Sequence, residues 1–144
     1  SQLSEVTGKL SITNNPELDD LSGLDNLTRV GALEISNNAG LYTARGLRQL
    51  QNVGALIIEN NRNLNSLSSM RSLTSAGSVK IQNNPVLCAL GMLPALQSVE
   101  SSMLLRHNRG ISRGETQRLM AQVGHGEARR AFAKADALQV ASSR

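Results

Sequence analysis

Along the chain, apolar residues fall at every third position in long stretches and then alternate with polar ones in short stretches. The period-three stretches run Leu18, Leu21, Leu24, Leu27, Val30; Leu41, Ala44, Leu47, Leu50, Val53; Leu64, Leu67, Met70, Leu73, Ala76; and Leu87, Leu90, Leu93, Leu96, Val99. Each of the first three leads into a glycine (Gly31, Gly54, Gly77) and then an alternating run, Leu33-Glu-Ile35-Ser, Leu56-Ile-Ile58-Glu and Val79-Lys-Ile81-Gln. Two-residue alternation is the signature of a strand with one buried face. A spacing of three over many residues suits neither an α-helix nor a strand, but fits a wall of tight turns, 3₁₀ pieces and short extended segments.

The pattern is an internal repeat. The pairs Asn14-Asn15, Asn37-Asn38, Asn60-Asn61 and Asn83-Asn84 stand 23 residues apart, and His107-Asn108 follows after 24. A 23-residue unit with one short strand cannot bury its apolar side alone. The units must therefore stack, each strand pairing with its equivalent one coil away at about 4.8 Å. The expected fold is a parallel β-solenoid of about five coils over residues 1–111, with a helical cap and tail over 112–144. The glycines are expected at corners where a side chain would hinder the backbone.

Extending the inward alternation of Leu-x-Ile-x by one step predicts that the first member of each asparagine pair points inward. On that reading Asn14, Asn37, Asn60 and Asn83, with His107 as a polar substitute, form a stacked structural ladder whose amides satisfy backbone groups at the bend. Outward residues on the strands form two columns: Ser11, Glu34, Ile57, Lys80, Leu104 and Thr13, Ser36, Glu59, Gln82, Arg106. Their chemistry changes from rung to rung, which suits recognition of an irregular surface rather than a regular lattice. Glu34, Ser36, Ile57, Glu59, Lys80, Gln82, Leu104 and Arg106 are the candidate binding face. A solvated face with charges that block sheet association is the competing reading.

Composition narrows the alternatives. The 144 residues include only Tyr42 and Phe132 as aromatics, so the interior must be thin enough for aliphatic side chains to meet across it. No apolar run reaches the roughly 18 to 20 residues of a membrane helix. Cys88 is the single cysteine, which excludes an internal disulfide and a cysteine-based zinc site. It falls beside the inward Leu87 in the outward column Asp19, Tyr42, Asn65, Cys88 and reads as a bystander. Asp19-Asp20 is not repeated and lacks calcium-loop spacing. Residues 1–108 carry eight basic and eight acidic side chains, against seven and three in 109–144, so the net charge of +4 belongs to the tail. A neutral body with a single aromatic and a modestly basic end is poorly suited to nucleic acid. The two His stand 18 residues apart, with no second catalytic or metal-binding partner in the pattern; the chain reads as no enzyme and requires no cofactor.

In the tail, Ser112-Arg-Gly-Glu115 has capping-box spacing before Leu119, Met120 and Val123, with Gly124 as the expected C-cap. A second amphipathic helix is expected around Ala128, Ala131, Phe132, Ala135 and Leu138, and the two would cover the last coil. At the other end Leu3-Ser-Glu-Val6 aligns with Leu27-Thr-Arg-Val30, so the chain opens in mid-repeat, as a mature product or a portion of something longer would. Asn26-Leu27-Thr28 matches a glycosylation sequon, which matters only in a secreting eukaryote.

The unit Leu-x-x-Val-x-Gly-x-Leu-x-Ile-x-Asn-Asn-Pro-x-Leu, seen around Val6 to Leu18 and Leu73 to Leu87, resembles the receptor L-domain family, with the similarity covering residues 3 to about 111. That resemblance implies a right-handed, leucine-rich-repeat-like β-solenoid acting as a binding or adhesion module, often at the cell surface or secreted. The chain departs from many relatives in lacking terminal disulfides. The function expected is therefore non-enzymatic binding of a protein or glycan. The alternative is a structural repeat segment that spaces or assembles a larger extracellular complex through the solenoid ends.

Overall fold

The computed structural model describes residues 3–88 and 92–123. Its strands are β1 (Glu5–Thr13), β2 (Arg29–Ser36), β3 (Asn52–Glu59), β4 (Ser75–Gln82) and β5 (Ser98–Arg106), followed by one helix, α1 (Arg113–Gln122). The strands form a single parallel sheet in sequence order, so each coil adds one strand beside the last. Five strands make four complete turns of a β-solenoid. Equivalent positions pair directly: Leu33 with Leu56, Ile35 with Ile58, and those in turn with Val79 and Ile81.

The wall opposite the strands explains the spacing of three. Leu24 N–H donates to Leu21 O, Leu27 N–H to Leu24 O, Leu47 N–H to Ala44 O, Leu50 N–H to Leu47 O, and Met70 N–H to Leu67 O. Each turn closes over three residues, so each brings the next apolar side chain back to the same inward direction. Leu27, Leu47, Leu50, Leu64, Met70 and Leu73 are completely buried there against Leu33, Leu56, Ile58 and Ile81 of the strands. The apolar part of the interior is built from aliphatic side chains and methionine, as the scarcity of aromatics requires.

The strands are longer than the alternating runs alone indicate. β2, β3 and β4 begin two residues before Gly31, Gly54 and Gly77, so each glycine lies within a strand rather than at a corner preceding it. None of these three has positive φ. A Cβ on Gly54 would drive into the carbonyl oxygen of Gly31, and one on Gly77 into that of Gly54. Close approach of successive coils, not unusual dihedrals, therefore requires glycine in this column.

Both edge strands are bulged. Val6 pairs with Val30 and Lys9 with Ala32, leaving Thr7 and Gly8 opposite Gly31. Ala76 pairs with Val99 and Ser78 with Ser102, leaving Glu100 and Ser101 opposite Gly77. The second bulge absorbs the extra residue that makes the last asparagine interval 24 rather than 23. Edge strands accept such irregularity because only one neighbour must adapt.

The asparagine ladder exists, but one residue further along than alternation predicts. Asn14, Asn37, Asn60, Asn83 and His107 all adopt left-handed backbone, with φ between 56 and 60°. They are exposed. This turn interrupts the two-residue alternation and sends the following side chain inward. Asn38, Asn61, Asn84 and Asn108 are buried in their place. Asn is among the few non-glycine residues that tolerate this conformation, which accounts for the first member of each pair.

The buried amides tie consecutive coils. Asn61 Oδ1 accepts from Asn38 N–H (3.1 Å) and Asn38 Nδ2 (3.3 Å), while Asn61 Nδ2 donates to Ile35 O (3.0 Å) and Asn84 Oδ1 (3.2 Å). Asn84 and Asn108 repeat the pattern, donating to Ile58 O (3.1 Å) and Ile81 O (2.8 Å). Each side-chain amide oxygen and nitrogen of the buried column thus meets a partner in a neighbouring coil.

α1 closes the last coil. Ser112 Oγ accepts from Glu115 N–H, and the Glu115 carboxylate accepts from Ser112 N–H (2.8 Å), which completes the expected capping box. That bond from the Ser112 backbone holds the Glu115 carboxyl below its ordinary pKa. Leu119 and Val123 are buried in the core, and Gln122 Nε2 donates to Leu93 O (2.8 Å) and Leu96 O (2.9 Å). The C-cap residue is Val123. Gly124 and the second helix expected beyond it lie outside the described residues.

Candidate binding face

The two outward columns anticipated on the strands are adjacent rows of the sheet. Ser11, Glu34, Ile57, Lys80 and Leu104 align in one register, and Thr13, Ser36, Glu59, Gln82 and Arg106 in the next. A third row on the same face, Lys9, Ala32, Ala55, Ser78 and Ser102, was not singled out from the sequence. From Ala32 onwards its side chains are small, so beside the two larger rows it forms a shallow step. The register of the repeat, carried two residues back from Glu34, would have found it.

Polar groups on this face are largely committed to one another. Lys9 Nζ lies 2.6 Å from Glu34 Oε1, Ser11 Oγ donates to Glu34 Oε1 (3.4 Å), and Ser36 Oγ donates to Glu34 Oε2 (3.0 Å). The bond from Lys9, aided by that from Ser36, holds the Glu34 carboxyl below its ordinary pKa. Ser36 is buried beneath this cluster. Gln82 Nε2 donates to Glu59 Oε2 (2.7 Å), and Lys80 Nζ lies 3.7 Å from the same oxygen. The Glu34 and Glu59 carboxylates are therefore held in place along the rows, while the paired Lys9 and Lys80 remain about half exposed.

Ile57 and Leu104 remain half-buried on the face, with Lys80 between them in the row. Arg106, at the end of the second row, has a buried Nε without a hydrogen-bond partner among the described residues. The remaining predicted positions do not gather into a site. His107 is exposed at its left-handed turn, and Cys88 is half-buried in the Asp19, Tyr42, Asn65 column, where its N–H donates to Asn65 O (2.7 Å). Asp20 accepts from Ser22 N–H (2.9 Å) and Ser22 Oγ (2.7 Å), which lower its pKa. Among the described residues, no three His, Cys, Asp or Glu side chains come together as a metal site. None of the described helices is long and apolar enough to cross a membrane.

A family model described as Receptor L domain matches residues 1–95, about two thirds of the chain. The chain belongs to the receptor L domain family. Individual relatives give no further guide: no curated protein and no solved structure matches. The match extends from the chain start through the first four strands, so the aligned coils of this receptor L domain include the rows from Glu34 to Gln82. Domains of this family are non-enzymatic ligand-binding modules, typically found in the extracellular portions of receptors.

Proposed function

We propose that this receptor L domain is an extracellular module that binds a protein through the exposed sheet face, with Glu34, Ile57, Glu59, Lys80, Gln82, Leu104 and Arg106 as its contact residues; Ser36, buried beneath Glu34, braces that carboxylate instead of touching a partner. The observation that carries the reading is the internal pairing of Glu34 and Glu59 with their neighbours around the half-buried Ile57. Side chains fixed before contact lose less freedom on association, so more of the contact free energy appears as affinity. Ile57 and Leu104 supply apolar contacts, and the row of small residues leaves room beside them for a partner's side chains. Five strands at about 4.8 Å give a face roughly 19 Å across the strands. A protein is favoured over a glycan because the face carries no aromatic ring on which a sugar could stack. Tyr42 lies outside the three rows.

The test is a surface plasmon resonance screen of the intact chain against a panel of purified extracellular proteins. Each hit is re-measured with Ile57→Asp/Arg106→Glu and, as control, Tyr42→Asp. Loss of binding with the face variant alone is expected. Binding that survives the face variant and fails with Tyr42→Asp would move the site off the sheet.

A further inference from the structure

The turn-built wall carries a second feature, independent of the sheet face. Asp25, Arg45, Gly46, Arg48, Ser69 and Arg71 line a cavity of about 280 Å³. Arg48 and Arg71 occupy the same position in consecutive coils, which places two cations on neighbouring rungs about 4.8 Å apart in backbone spacing. Like charges on adjacent rungs repel. None of the three guanidinium groups has a hydrogen bond or ion pair among the described residues, and all three arginines are exposed at the cavity rim.

Among the described residues no carboxylate forms an ion pair with them, although Asp25 precedes Arg48 in the same column, so the lining side chains carry three positive charges against one negative. Asp25 Oδ2 accepts from Gly23 N–H in its own turn (3.0 Å). Asp20 senses the Arg45 charge but is bonded to Ser22. Ser69 supplies the second observation. It stands in the column that holds Gly23 and Gly46 in the preceding coils, so this coil adds a hydroxyl where the others have none. Ser69 Oγ is buried and has no hydrogen-bond partner among the described residues. A buried, unpaired hydroxyl beside three unpaired guanidiniums is a set of donors awaiting acceptors.

We infer that this cavity binds a tetrahedral oxyanion, sulfate or phosphate. Arg48 and Arg71 would clamp it from successive coils, Arg45 would neutralise it from the side, and the Ser69 hydroxyl would donate from below. Guanidinium forks match such oxygens in geometry as well as charge. The anion is either free in solution or esterified on a glycan, and its chemistry is the same in both.

The test uses the full chain in ¹⁵N NMR titrations with sodium sulfate and with sodium phosphate at constant ionic strength. A parallel calorimetric titration uses a sulfated heparin oligosaccharide. Saturable shifts at the Gly46 and Ser69 amides and the three arginine Nε–H signals are expected. Arg48→Gln/Arg71→Gln should weaken binding by about tenfold or more, and Ser69→Ala by severalfold. Arg62→Gln, an exposed arginine outside the cavity, should leave it unchanged. Each variant's fold is checked by its amide spectrum. An oligosaccharide that binds more tightly than free sulfate, with the same variant dependence, identifies the esterified source; equal affinities identify the free ion. Absence of saturable shifts at these residues, or equal weakening by Arg62→Gln and the double variant, would overturn the inference.

Discussion

Replacing Asn61 by leucine tests the architecture at its most constrained point. The amide is fully buried in a central coil and makes four side-chain hydrogen bonds. Leucine is close in size, so the volume change is small and the effect reports on polarity. Two of the four former partners retain other bonds: Asn38 Nδ2 still donates to Ile12 O, and Asn84 Oδ1 still accepts from Asn61 N–H. Asn38 N–H loses its acceptor, and Ile35 O loses the amide donor. One orphaned buried donor costs about 1–3 kcal/mol and a lost hydrogen bond about 1, so the expected loss is about 2–4 kcal/mol. For a chain of this length that is on the order of 10 °C in Tm. The comparison is Asn60→Gly, next door, where the side chain is exposed and the left-handed backbone suits glycine. It should change stability by less than about 0.5 kcal/mol. Urea unfolding followed by circular dichroism measures both. Wild-type stability for Asn61→Leu, or a larger loss for Asn60→Gly than for Asn61→Leu, would refute the reasoning.

Two further outcomes follow from local geometry. Gly54→Ala should lower stability by about 1–3 kcal/mol, because the new methyl group meets backbone that cannot move aside, whereas Gly8→Ala, with open space around its Cβ position, should be nearly silent in the same thermal melts. The Glu34 cluster contributes stability above the ordinary carboxylate pKa, and that contribution disappears as pH falls through the depressed pKa of the folded state. The difference in Tm between wild type and Glu34→Gln should therefore shrink between pH 7 and pH 3. A difference that grows on acidification would contradict the assigned direction.

Much of this molecule can be read from its repeat, because a stacked coil writes the same physical requirement at the same position each time. Spacing alone placed the strand rows and the apolar wall. The ladder was misplaced because strict alternation was carried through a residue that breaks it. The corrective signal lay in the last coil, where the first position becomes His107 while the second stays Asn108. A buried amide ladder cannot easily exchange asparagine for imidazole; an exposed turn can. Glycine within the strands was read as a corner because its role depends on the next coil's carbonyl, which no single unit reveals. The arginine cavity was not legible either. Arg48 and Arg71 share a repeat position with Asp25, but the lack of an ion pair among the described residues and the buried Ser69 hydroxyl emerge only when side chains are placed in space.

The bulged outer strands have a consequence for how such a molecule can change length. A single inserted residue in β3 would have to be accommodated by neighbours on both sides and would throw the amide column out of step above or below it. At β1 or β5 the same insertion disturbs one neighbour, and there the chain already holds such residues, at Thr7-Gly8 and Glu100-Ser101. Within this sheet an extra strand residue is therefore tolerated in the outer described strands, whereas an addition among β2, β3 and β4 keeps the amide column in step only as a whole 23-residue unit.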